Sequence, residues 1–405
     1  MLQVEEAQEQ LLAAIAPLAI EEMPILDALD RVLSRDAYAD IDLPPFTNSA
    51  MDGFALRASD TLGASADSPR RLPVTGGIAA GDPGMTPLEP GTAVRIMTGA
   101  PLPPGADAVI PVEQTRPDTG VVALLCSVAV GASVRHAGED VRRDQRVLEA
   151  GTLIRPGELG LLASLGYARV AVYRRPIVAI LSTGDELVDI DTLPGPGQIR
   201  NSNAVMLAAQ VLRCGAVPKL LGIARDTRDA VHAALDEGRD SDLFISSGGV
   251  SVGDFDVVKQ VLAERGGVDF WRVNMRPGKP VAFGRVDGQP FLGLPGNPVS
   301  AFVTFELFAR PVIRKMAGHS LLLRRPITVT VDERVPSAQA RRHFVRAFAR
   351  WEVDGWHAAT TGAQESHLLR STLAANALLV VPEHSNDIEA GGTAQALLLE
   401  WPESA

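Results

Sequence analysis

The chain has two cysteines, Cys126 and Cys214, in 405 residues, and aromatic residues make up only 5%. Both cysteines lie in apolar stretches. That fits small buried hydrophobes and argues against a disulfide framework or a thiolate metal site. The seven histidines are scattered, with no H-E-x-x-H and no Cys/His cluster, so no zinc site is expected. No apolar run is long enough to span a bilayer. The acidic opening Met1-Leu2-Gln3-Val4-Glu5-Glu6 and the unflanked apolar residues 11–16 make neither a signal peptide nor an anchor. Positive charge is short as well. With 38 Lys+Arg against 49 Asp+Glu, the net charge of −11 argues against general nucleic-acid binding. The expectation is a cytoplasmic protein without nucleic-acid or membrane partners. Neither G-x-x-x-x-G-K-[ST] nor G-x-G-x-x-G occurs, which disfavours a P-loop NTPase or a Rossmann dehydrogenase.

Glycine (37) and proline (29) are abundant, and hydrophobic residues reach 46%. The chain is therefore expected to fold as two to four domains rich in turns and short strands. Residues 5–15 pattern as an amphipathic helix, and a second short helix is expected over 26–33. From 37 to about 137, short apolar runs broken by Gly and Pro indicate a β-rich domain. Residues 148–166 return to turn and helix, with Pro156 at a helix start.

Between 176 and 318, strand and helix alternate. Strands are expected at 177–181, 219–224, 243–246 and 291–294, with helices at 203–212, 227–237, 257–265 and 298–316. This predicts a parallel sheet covered by helices, with ligands beyond the carboxyl ends of the strands. After residue 325 the pattern is β again, at 327–331, 344–349 and 377–381, as in a small barrel or sandwich.

The chemistry gathers at the expected strand ends. Ser182-Thr183-Gly184-Asp185-Glu186-Leu187 combines a flexible turn, hydroxyls and paired carboxylates that suit Mg²⁺. Taken alone, it is equally readable as a helix-capping turn. In Ser246-Ser247-Gly248-Gly249-Val250-Ser251-Val252-Gly253-Asp254-Phe255-Asp256, a strand feeds a Gly-Gly loop whose N–H groups suit a phosphate or pterin. Gly293-Leu294-Pro295-Gly296-Asn297-Pro298-Val299-Ser300 places a forced turn before a helix, another anion site. Asp226 adds a carboxylate to the rim, and Arg276 and Lys279 in Met275-Arg276-Pro277-Gly278-Lys279-Pro280 supply positive charge. A cation would reverse the local sign of this acidic rim. Gly249-Val250-Ser251-Val252-Gly253 also matches the G-x-S-x-G elbow, so a serine hydrolase using Ser251 is an alternative. Gly253, Asp254 and Asp256 would delay the helix that the elbow needs, however, and no HGGG-type loop occurs upstream.

These runs also occur in order with Pro44-Pro45-Phe46-Thr47-Asn48-Ser49-Ala50-Met51-Asp52-Gly53-Phe54-Ala55, Ile96-Met97-Thr98-Gly99-Ala100-Pro101 and Gly138-Glu139-Asp140. Together they closely resemble the MoeA family of molybdopterin molybdenumtransferases, which includes the E domain of gephyrin. The resemblance covers essentially the whole chain. It implies a multidomain α/β plus β protein in four parts. These are a discontinuous helical domain (1–40 with 137–172), a β-rich domain (41–136), a MogA-like α/β domain (173–323) and a C-terminal β-barrel (324–405). It implies Mg²⁺-dependent insertion of molybdate into adenylylated molybdopterin with release of AMP, by a homodimer that also meets other proteins of molybdenum-cofactor synthesis. A non-catalytic scaffold is a further alternative.

By motif, catalytic roles fall to Asp52, Thr98, Asp140, Glu186, Asp226, Asp256 and Lys279, and metal binding to Asp185, Glu186 and Asp256. Substrate contacts are implied for Thr183, Gly184, Asp185, Ser247, Gly248, Gly249, Ser251 and Arg276. Further contacts are implied for Pro295, Gly296, Asn297, Pro298, Ser300, Arg346 and Ser366. Asp52, Thr98 and Asp140 are implied to reach the cleft from the second subunit, and Arg346 to hold an oxyanion. Two positions depart from the family pattern. Arg276 stands where some relatives have lysine, and 361–367 lacks a histidine and a glycine found in some of them.

Overall fold

The computed structural model describes residues 1–249 and 257–401. Helix α1 (Val4–Ala13) buries Val4, Ala7 and Leu11, the i, i+3/i+4 stripe that its sequence predicts. The helix expected at 26–33 is not formed. A single 3₁₀ turn covers Ile25–Ala28, and Val32 and Leu33 then enter β-bridges. Asp30 explains the break: its φ of 61° is left-handed and cannot continue a right-handed helix.

The chain forms two compact units, residues 36–150 with 156–168, and residues 1–35, 151–155 and 169–405. The first is β-rich. Its strands are β1 (Gly53–Leu56), β2 (Arg70–Ile78), β3 (Ala93–Ile96), β4 (Ala108–Pro111), β5 (Thr115–Asp118) and β6 (Val121–Leu124). They run in the order β4-β1-β3-β2-β6-β5. Phe54, Leu56, Ile110 and Leu124 share its core. Helix α2 (Pro156–Ser164) starts at the proline that the sequence marked.

In the second unit the α/β sheet consists of β7 (Ile177–Thr183), β8 (Val217–Ala224), β9 (Leu243–Ser247), β10 (Gly266–Arg272), β11 (Pro280–Val286) and β12 (Gln289–Leu294). The order is β8-β7-β9-β12-β11-β10. The first four strands are parallel, while β11 and β10 add antiparallel at one edge. The sheet is therefore mixed, which corrects the purely parallel expectation. The edge strand β10 is largely exposed, with no continuous apolar run to announce it. Helices α3 (Ser202–Arg213), α4 (Arg228–Glu237) and α5 (Val257–Arg265) cover the faces. Because β7 pairs with β8 on one side and β9 on the other, the chain reverses its winding there. That opens a crevice at their carboxyl ends.

The helix expected over 298–316 is continuous, but its middle widens. Segments α6 (Pro298–Thr304) and α7 (Arg310–Met316) flank a π-helical turn over Phe305–Ala309. Pro311 has no N–H to offer the carbonyl four residues back, at Leu307. Gln8 Nε2 of α1 donates to that oxygen instead, at 2.9 Å.

The C-terminal strands are β13 (Pro326–Val331), β14 (Arg342–Glu352), β15 (Gly355–Thr360), β16 (Ala377–Val381) and β17 (Thr393–Leu398). They follow the order β14-β15-β13-β17-β16, and β16 pairs back to β14. This closes a five-stranded barrel, and closure leaves the ring no free edge.

Candidate functional site

The registers bring the chemistry-bearing turns together. Thr183 of β7 lies beside Ala224 of β8, Ser182 beside Ser247 of β9, and Ser247 beside Leu294 of β12. All four strands therefore end on one rim, followed by Gly184, Arg225, Gly248 and Pro295. A cavity of 640 Å³ opens there, lined among others by Thr183, Glu186, Ser247, Gly248, Gly296 and Asn297. Its volume lies in the range of roughly 300–1,000 Å³ typical of small-molecule sites.

Glycine is required at two of these turns. Gly184 has φ 142° and Gly248 φ 99°, and a Cβ on Gly248 would stand 3.0 Å from the Thr183 carbonyl oxygen. The Gly-Gly turn offers fewer free amides than the sequence suggests. The Gly248 N–H donates to Leu294 O at 3.0 Å, tying β9 to β12.

Asn203 is a site residue that the strand-end motifs do not reveal. Its Nδ2 donates to Ser247 Oγ at 2.8 Å and to Gly296 O at 2.7 Å, joining two glycine turns. Its Oδ1 is buried without a hydrogen-bond partner among the described residues. The signal was Arg200-Asn201-Ser202-Asn203, where Asn201 caps α3 by accepting from the Ala204 N–H. Asn201 Oδ1 also accepts from Ser182 Oγ at 3.0 Å, locking the end of β7.

The acidic side of the rim is exposed. Asp185 Oδ1 accepts the Asp226 N–H at 3.3 Å and lies 4.0 Å from Arg225 Nη1. Partial burial and then the charges of Asp185 and Glu186 push the Asp226 carboxyl above its usual range. Such a site carries more negative charge than it can neutralise, and its donors are hard oxygens. That chemistry fits a divalent cation of the Mg²⁺ type. Asp256, the third expected metal ligand, lies outside the described residues, as do Ser251 and Asp254. Among the described residues, the three side chains grouped closely enough to share an ion are Glu352, Asp354 and His357, on the β14–β15 hairpin.

A second cavity, of 390 Å³, shares Pro280 and His367 with the first and is also lined by Arg276, Lys279, Ser300, Arg341 and Ser366. Gly278 holds its floor at φ 96°, where a Cβ would stand 2.3 Å from Thr304 Cγ2. The Ser366 carbonyl accepts the Val299 N–H at 3.1 Å. One amide at the start of α6 is thereby spent on the barrel loop rather than left for an anion, and the loop is fastened to the α/β domain.

Arg346 differs from its expected role. It is 0% exposed. Its Nε donates to Ser371 Oγ at 2.9 Å, and its Nη groups reach the carbonyls of Ala363, Gln364 and Glu365 at 3.1, 3.3 and 3.4 Å. Burial pushes its pKa down to about 10. The guanidinium thus shapes the loop that carries Ser366 and His367, and the half-buried Arg341, just before β14, lines the second cavity instead. No pattern in the sequence separates the two arginines.

In the β-rich unit, Thr98 donates both its N–H and its hydroxyl to Asp52 Oδ1, each at 2.7 Å. These bonds, backbone first, hold the Asp52 carboxyl below its usual range and keep it ionised. Asp140 is exposed, with its N–H bonded to Leu43 O at 3.0 Å.

Three family models match the chain. MoeA N-terminal region (domain I and II) matches residues 2–166, Probable molybdopterin binding domain matches 179–315, and MoeA C-terminal region (domain IV) matches 328–399. Among curated relatives, Molybdopterin molybdenumtransferase 2 of Mycobacterium tuberculosis is 41% identical, covering 96% of this chain and 98% of that protein. Molybdopterin molybdenumtransferase of Bacillus subtilis is 37% identical, covering 94% and 92%. The solved structure of molybdopterin biosynthesis moeA protein from Pyrococcus horikoshii OT3 superimposes with a TM-score of 0.85 at 29% identity, covering 98% of this chain and all of that one.

Proposed function

The chain belongs to the MoeA family, and on that premise we propose that it is a molybdopterin molybdenumtransferase whose two adjoining cavities divide the substrates. The larger cavity takes adenylylated molybdopterin, and the Arg276–Lys279 cavity takes molybdate. The observation that carries the reading is the shared wall of Pro280 and His367. Ligands in the two spaces would meet without leaving the protein.

Thr183, Ser247 and the turns at Gly248–Gly249 and Pro295–Pro298 would bind and orient the pyrophosphate-linked pterin. Ser300 and Ser366 would offer hydroxyls to the oxyanion, and Arg276 and Lys279 would balance its charge. Mg²⁺, held by Asp185 and Glu186 with Asp256, would supply Lewis-acid polarisation of the phosphoanhydride. The chain's own contribution is positioning and charge balance, with no covalent protein intermediate. We place Asp52, Thr98 and Asp140 at the cleft through a homodimer, each contributed by the second subunit. The domain partition expected from the sequence, 1–40 with 137–172, 41–136, 173–323 and 324–405, belongs to this reading.

The test is purified protein with adenylylated molybdopterin, Mg²⁺ and molybdate. Molybdate-dependent AMP is the expected product. AMP formation that ignores molybdate, or no AMP, would sink the proposal.

A further inference from the structure

The proposed reaction leaves further cavities among the described residues unused. One of these, of 340 Å³, lies where α3, the α6–α7 helix and the barrel meet. Its charged lining is unexpected in a chain of net charge −11. Arg213, Arg310, Arg314 and Arg324 face it together, with Glu306 and Glu400 as its acids.

The pairing inside the cavity leaves cations over. Glu306 is nearly buried. Its Oε2 accepts from Arg324 Nε at 2.9 Å, and its Oε1 accepts from Gln210 Nε2 at 3.2 Å. Glu400 pairs with Arg213. Arg310 reaches Glu306 only at 3.9 Å, on the oxygen that Arg324 already occupies, and Arg310 Nη1 donates to Leu322 O at 3.0 Å. Arg314 donates Nε to Leu321 O at 2.9 Å and forms no ion pair among the described residues. Two carboxylates therefore face four guanidinium groups, and the surplus falls on Arg310 and Arg314.

The surplus is not relieved by solvent alone. Burial, then Arg324 and Arg314, push the Arg310 pKa down to about 10, and burial and Arg324 push Arg314 down as well. Neighbouring groups do not offset it. Burial, then Arg314 and Arg310, hold His319 down to about 4, so it is neutral at physiological pH. The thiol of Cys214 is pushed up to about 12 by burial and is neutral too. Guanidinium forks on the α6–α7 helix one turn apart suit a tetrahedral oxyanion, which accepts several such bonds at once.

We propose that this cavity is a second anion site, separate from the Arg276–Lys279 pocket, that binds a small tetrahedral dianion of the phosphate or molybdate kind between Arg310 and Arg314. The charge of −2 matches the two guanidinium charges that Glu306 and Glu400 leave unbalanced among the four arginines. Arg310 and Arg314 belong to the same continuous helix as Pro298 and Ser300. Occupancy would therefore bear on the helix whose start lines both proposed substrate cavities.

The probes are inorganic phosphate and molybdate, added at constant ionic strength with chloride as control, because nonspecific screening would act alike for all salts. Binding is read by titration calorimetry and by the shift in melting temperature. The protein used is full length and carries Arg276→Ala and Lys279→Ala, so that the other pocket is silenced. The expected result is saturable binding of at least one dianion, weakened at least about ten-fold by adding Arg314→Gln, the loss of one charge-assisted contact. Phosphate favoured over molybdate would indicate a phosphorylated effector, and the reverse a store of the reaction's own oxyanion. Either order supports the site. Protection of Arg314 from phenylglyoxal by the bound anion, mapped on peptides of the protein without the Arg314 change, gives a second readout if Arg314→Gln folds poorly. Binding no stronger than chloride, or binding unchanged by Arg314→Gln with no protection of Arg314, would overturn the proposal.

Discussion

Asp226 donates its backbone N–H to the Oδ1 of Asp185 at 3.3 Å, so two carboxylates from neighbouring strand ends are held together on one rim. Burial and the charges of Asp185 and Glu186 raise the Asp226 pKa. A raised carboxyl pKa means that the folded state prefers the protonated form. The cost is therefore absent at low pH, grows as pH rises through the carboxylate range, and is fully present at neutrality. Asp226→Asn should raise the melting temperature at pH 7 and lose that advantage below about pH 4. It should also shrink the stabilisation given by added Mg²⁺. Thermal scans at both pH values, with and without Mg²⁺, check both signs.

Asn203 bridges Ser247 and Gly296 through one amide. Asn203→Ala removes both bonds without touching the acidic rim, at about 1 kcal/mol for each bond. Substrate binding should weaken by about ten-fold or more, with little change in the molybdate requirement. Titration with the pterin substrate measures the first effect, and a molybdate saturation curve the second.

Arg346 is a test of loop shape. Arg346→Met should cost about 3 kcal/mol, because the carbonyls of Ala363, Gln364 and Glu365 lose their buried donor. Limited proteolysis should then cut between 361 and 368, where the wild-type protein resists. A variant with unchanged melting and no new cut would show that the loop holds its own shape.

His357 lies between Asp332, 3.1 Å from Nδ1, and Asp354, 3.0 Å from Nε2, and its pKa is raised by those bonds. A raised histidine pKa gives stability that is complete below the unfolded value and is lost as pH rises through the folded one. His357→Gln should therefore destabilise the barrel at about pH 5.5 and have little effect at about pH 9. Denaturant unfolding at the two pH values reads the difference.

The carboxyl-end rim was legible because each of its parts is local. A buried apolar strand, a turn-forming glycine or proline and a polar residue beside it sit within a few positions at 177–186, 243–249 and 291–298. The edge strand β10 and its neighbour β11 were not legible. Their residues are partly exposed and form no continuous apolar run, so neither burial nor alternation marked them. The π-helical turn likewise depends on Gln8, which reaches Leu307 from the other end of the unit's sequence. Arg341 and Arg346 illustrate a third limit. The two residues share one chemistry, and only the closed barrel decides that one is buried on carbonyls while the other faces the cavity. The family resemblance carried a role onto Arg346 that its burial reassigns.

The division of substrates between adjoining cavities is tested most directly by the molybdate dependence of AMP release in Arg276→Ala/Lys279→Ala. The expected result is a KM for molybdate raised by about ten-fold or more, from loss of two charge-assisted contacts, while the Kd for adenylylated molybdopterin stays within about two-fold of wild type. An unchanged molybdate KM, or an equal loss of affinity for both substrates, would contradict it.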